Sequence, residues 1–123
     1  VERTAAFARV RDCLVVTLLG ETTGRSWESL RSDLLGRLGA SGVRGVVIDA
    51  SAVAVVDDVD GRALADTVDM CRLLGARALV AGLSVEVVTA LILLDAPLDR
   101  LEGEASVERA IERLLQGADD GQP

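Results

Sequence analysis

The chain has 123 residues and a formal net charge of −7; half of its residues are hydrophobic, yet it holds one Trp, one Phe and no Tyr. That length suits one domain around one core, and the core must be built from closely packed Val, Leu, Ile and Ala. Lys is absent and the Arg residues are scattered from Arg3 to Arg113, so an acidic chain without a basic patch is not expected to bind nucleic acid or an anionic membrane.

Ala5 to Val10 and the β-branched run Cys13 to Leu19 read as two strands, with Arg11 and Asp12 as the turn of an antiparallel hairpin. Apolar residues at helical spacing, Trp27, Leu30, Leu34, Leu35 and Leu38, predict a first helix over Ser26 to Leu38. Ser26 would be its N-cap, Glu28 lies in its first turn, and Gly39 and Gly42 would end it. Val43 to Ala50 is dense enough in apolar residues for a strand covered on both faces. A second helix is predicted from Asp58 to Leu74, stopped by Gly75, then a strand at Ala78 to Ala81. Ser84 would cap a third helix that Pro97 blocks from continuing. A short strand is expected near Leu98 to Leu101, followed by a fourth helix from Ser106 with Val107, Ala110, Ile111, Leu114 and Leu115 as its apolar stripe. The expected domain spans 1–116, and the polar segment 117–123 is expected to be a disordered tail. Strands alternating with helices imply parallel crossovers, so the fold class is α/β with a mixed sheet of four or five strands and about four helices.

Sites in such folds form after the strands, at helix N-termini, which draws attention to 20–26, 51–58 and 82–84. No His is present, which removes Ser-His-Asp and Cys-His nucleophile activation. No Walker-type or Gly-x-Gly-x-x-Gly loop occurs either, so no enzyme and no cofactor is expected. Asp57, Asp58 and Asp60 before Gly61 resemble a calcium loop, but Val56 and Thr67 stand where ligands are needed, and no metal is expected. Carboxylates there also serve as helix caps, and on that ground Asp58→Ala is expected to cost about 1 kcal/mol. Asp57 and Asp58 are too close together to work as a glycosidase pair. Cys13 and Cys71 sit in apolar patterns and read as core thiols of a reducing compartment. No apolar stretch reaches the roughly 18 to 20 residues of a membrane span, and no signal-peptide pattern is seen, so a cytoplasmic location is expected.

The stretch Gly45-Val-Val-Ile-Asp49-Ala-Ser51-Ala-Val-Ala-Val-Val56-Asp57-Asp58 resembles the signature of STAS domains, the fold of anti-sigma-factor antagonists, stressosome scaffold proteins and sulfate-transporter tails. Gly20-Glu21, Arg72-Leu-Leu-Gly75-Ala76 and Ala81-Gly82-Leu83 agree with it, and the segment at Arg72 and the turn at Asp57 are most similar to the stressosome branch. In that family an Asp precedes a Ser or Thr whose phosphorylation by a switch kinase controls binding. Here the acceptor position holds Asp58, which puts a fixed charge where phosphate would add about −1.5 to −2. The stressosome branch can carry a second acceptor in the helix after the fourth strand, and the corresponding position here is Ala90, which has no hydroxyl; neighbouring Thr89 is the candidate, otherwise read as a helix residue bonded to its own backbone.

The resemblance implies a scaffold that docks other STAS-domain proteins and a serine/threonine switch kinase, in a homo- or hetero-oligomer. A free antagonist of a kinase-type anti-sigma factor is the second reading, and a small-molecule or lipid-binding domain the third. The expected contact surface comprises Ser51, Asp57, Asp58, Asp60, Gly82, Ser84 and Glu86.

Overall fold

Residues alternate in two directions along the central strands, and this alternation builds two apolar layers from one sheet. The computed structural model describes residues 5–20 and 24–120. Strands β1 (Ala5–Val10) and β2 (Cys13–Leu18) form the predicted hairpin, Val10 facing Cys13 and Ala5 facing Leu18. Arg11 takes the left-handed turn, at φ 54°. Helix α1 (Gly24–Ser41), strand β3 (Gly45–Asp49), helix α2 (Asp58–Leu73), strand β4 (Arg77–Ala81), helix α3 (Val85–Leu93), a short 3-10 turn at Leu98–Arg100, strand β5 (Gly103–Glu104) and helix α4 (Val107–Asp120) follow. The sheet order is β1-β2-β3-β4-β5, parallel from β2 onward.

Leu14, Val16, Leu18, Val46, Ile48, Ala78 and Val80 point to one face. There they meet Trp27, Leu30 and Leu34 of α1 and Leu64, Val68 and Cys71 of α2. Cys13, Val15, Val47, Leu79 and Ala81 point to the other, where α4 covers them with Ala110, Ile111 and Leu114. Both faces of β3 are thus buried, as its unbroken apolar run predicts. Burial pushes the Cys71 thiol up to about 11, and it raises the Cys13 thiol as well. Both cysteines are protonated core residues at neutral pH.

Three expectations are corrected. Helix α1 begins at Gly24, so Ser26 is an internal position and not the N-cap; it also runs through Gly39, because packing of Trp27, Leu30 and Leu34 outweighs the modest helix cost of one glycine. Leu98–Arg100 is a 3-10 turn and not a strand; Arg100 is drawn onto Asp66 (2.8 Å) and Asp69 of α2, and pairing with β4 begins only at Gly103. Helix α4 continues through Asp120, past Gly117, where the tail was expected to begin, since its i to i−4 ladder is not interrupted there; 121–123 lie outside the described residues, as do 1–4 and 21–23.

A charged node ties the far edge together. Glu102 accepts from Arg77 (2.7 Å), Arg113 (3.1 Å) and Arg72 (3.5 Å), which come from β4, α4 and α2. The hydrogen bond from Arg77, helped by the other guanidiniums, holds the Glu102 carboxyl below its ordinary value of 4.5. The folded chain therefore favours the charged form more than the unfolded chain does. The stabilisation is complete above the unfolded value and is lost as pH falls through the lower folded one. With the side chain 32% exposed, the node is worth about 1 kcal/mol. Urea unfolding of wild type and Glu102→Gln should differ by that amount at about pH 7 and converge at about pH 2. An equal difference at both would mean that the charge contributes nothing.

Candidate protein-docking site at the start of α2

Parallel strands β2, β3 and β4 end at the same side of the sheet, and the turns that leave β3 and β4 pack against each other there. Asp49 closes β3 by accepting from Ser51 N (3.0 Å) and Ser51 Oγ (2.7 Å). Ala50 N donates to Ala81 O at 2.8 Å, which holds the two turns side by side. Gly82 adopts φ +80°, and a Cβ added there would lie 2.9 Å from Ser51 Cβ. Only glycine lets the two backbones approach this closely in that conformation.

Beyond the turn, Asp57 is the N-cap of α2. Its Oδ1 accepts from Asp60 N at 2.9 Å, while Asp60 Oδ2 accepts from Asp57 N at 2.9 Å, a reciprocal capping box. The cap role expected of Asp58 therefore belongs to Asp57, because Asp58 is already the first helical residue and its side chain projects outward. Asp58 is exposed and its carboxylate makes no hydrogen bond or ion pair among the described residues. It lies beside the positive end of the α2 dipole.

Asp60, named among the contact residues, is 7% exposed and faces inward. Its Oδ1 accepts from Trp27 Nε1 at 2.9 Å, joining α1 to the first turn of α2. It braces the surface from behind. Sequence reading missed this bond across 33 positions; an Asp at the third helical position with the chain's single Trp on an apolar stripe was the available signal. Ser51, Asp57, Asp58 and Glu86 are exposed on one end of the molecule, and Gly82 and Ser84 are half-buried beside them. Ser84 caps α3, its Oγ accepting from Val87 N at 3.1 Å. Thr89 is exposed, and its hydroxyl donates to Val85 O at 2.7 Å, the backbone bond of its simpler reading.

Under the turn, Leu18, Trp27, Val53, Asp60 and Leu83 enclose a cavity of about 20 Å³. That space suits one water and is far below the roughly 300 Å³ at which small-molecule pockets begin. Between α1 and α2 runs an open groove of about 310 Å³ lined by Trp27, Glu28, Arg31, Asp58, Arg62 and Asp66. Neither Arg31 nor Arg62 forms an ion pair among the described residues. Among those residues no helix is long and apolar enough to cross a membrane.

The family model of the STAS domain matches residues 5–102. The fold is similar to that of RsbS from Moorella thermoacetica, solved as a serine-to-glutamate variant. That likeness has a TM-score of 0.80 at 25% identity, over 94% of this chain and 97% of that one. It is similar to the same degree (TM-score 0.80, 25% identity, 92% and 98% coverage) to a chain of the stressosome, described as a signal integration and transduction hub. The unphosphorylated anti-sigma factor antagonist SpoIIAA shares the fold at 16% identity (TM-score 0.66), with 90% of this chain and 97% of that chain covered. No protein of curated function matches the sequence.

Proposed function

The chain belongs to the STAS domain family, and from that premise we propose that it is a stressosome-type scaffold in a partner-switching stress response, with Asp58 standing in for the phosphoacceptor. It acts by binding and not by catalysis. Its partners are other STAS-domain proteins and a serine/threonine switch kinase in the cytoplasm, met through Ser51, Asp57, Asp58, Gly82, Ser84 and Glu86. The observation that carries this reading is the state of Asp58: exposed, unpartnered among the described residues, and held at the helix start by the Asp57–Asp60 box behind it. Its charge is therefore available to a partner. The likeness to RsbS and to a stressosome chain at 25% identity over nearly the whole chain supports the scaffold branch.

A carboxylate supplies one unit of charge in place of the phosphate's larger one, so the wild-type chain is fixed near the modified state, while Asp58→Ser becomes switchable. Tagged wild type and Asp58→Ser recovered from native lysate should both enter large assemblies with other STAS proteins, and only the variant should carry phosphate at residue 58. Phosphate on both alike would place the acceptor elsewhere and retire the mimic. A small complex with one kinase, strengthened in the variant, would replace the scaffold by a free antagonist.

A further inference from the structure

Helix α3 buries little of its apolar surface. Val87 and Leu91 face the core at 1% exposure each, while on the opposite side Val85, Ile92 and Leu93 are 78%, 60% and 81% exposed. With about 100° between successive residues, Val85, Thr89, Ile92 and Leu93 fall on one stripe. Contiguous exposed side chains of this kind mark interaction surfaces. We propose that this outward face of α3 docks a partner protein segment that presents apolar side chains flanked by Lys or Arg.

Charge selects that occupant. From Gly82 to Asp99 the chain holds Glu86, Asp95 and Asp99 and no basic residue. The next guanidinium, Arg100, is already committed to Asp66 and Asp69. Along this segment the charges that flank the stripe are acidic only. A second copy laid against it would bring like charges together on a chain of net charge −7, whereas a basic rim is complementary. The stripe also continues from Ser84 and Glu86, so it enlarges the docking surface proposed above. The inference rests on the reading of the chain as a binding module.

The test is a titration of the full chain, followed by amide chemical shifts, with a synthetic amphipathic helix carrying leucines flanked by lysines, and with its glutamate-flanked counterpart. Shifts should centre on α3. Affinity should fall by about tenfold or more for the glutamate version and by a similar factor in Ile92→Ala/Leu93→Ala, whose far-ultraviolet circular dichroism should stay that of wild type because both side chains lie in solvent. Three outcomes overturn the inference: no binding, equal binding of both peptides, or a concentration-dependent dimer that the double variant abolishes, which would make the occupant a second copy. Shifts confined to the turn at Asp57 and Asp58 would also overturn it while leaving the binding-module reading standing.

Discussion

Asp60→Ala is expected to lower the unfolding free energy by about 3 kcal/mol, three times the effect of Asp57→Ala. Each change opens the capping box, but their surroundings differ. Asp57 is exposed, and its loss costs what one N-cap ordinarily contributes, about 1 kcal/mol. Asp60 is 7% exposed and Trp27 is 3% exposed, so alanine leaves the indole N–H without its charged acceptor in a place where water cannot easily replace it. Asp57 N loses its acceptor as well. The chain has a single Trp, so Trp27 fluorescence reports on this bond directly, with circular dichroism as the second probe of a urea titration. Equal destabilisation by the two variants would show that the contact between α1 and α2 is ordinary packing. An unchanged Trp27 spectrum in Asp60→Ala would argue the same.

The second large effect concerns two glycines with nearly the same φ. Gly82→Ala should cost about 2–4 kcal/mol: about 1–2 from placing a side chain at positive φ and a further amount, from about 1 upward, from the overlap with Ser51. Gly75 has φ +86°, but a Cβ there meets nothing within 4 Å, so Gly75→Ala should cost only the first part, about 1–2 kcal/mol. The contrast isolates the close approach from the dihedral angle. Thermal unfolding of both variants gives the comparison, and equal losses would mean that the Ser51 turn simply moves aside. Because Ser51 belongs to the proposed docking surface, Gly82→Ala should also weaken partner recovery, whereas Gly75→Ala should not.

Local patterns carried most of the architecture. The hairpin turn at Arg11 and Asp12, the doubly buried run of β3 and the stop at Gly75 each follow from short-range chemistry that a few residues specify. Long-range competition decided the rest. Leu98 to Leu101 has the composition of a strand, but Arg100 pairs with two carboxylates of α2 some 30 positions away, and no local rule contains that term. Ser26 has the chemistry of a cap, yet the helix starts earlier and turns it into an internal residue. At the site, the turn and its acidic cluster were legible because carboxylates before an apolar helix are a strong signal. The division of labour among Asp57, Asp58 and Asp60 was not, since three neighbouring aspartates differ only in which way the helix turns them.

The arrangement of layers also bears on how the chain is made. Among the described residues, helix α4 alone covers the face of the sheet formed by Cys13, Val15, Val47, Leu79 and Ala81. Synthesis runs from the N-terminus, so the strands and the helices of the opposite layer emerge first. Until α4 follows, a nascent chain presents a bare aliphatic sheet of the kind that chaperones bind. A chain cut between β5 and α4 would be a half-clad intermediate and should be found with chaperones or in aggregates.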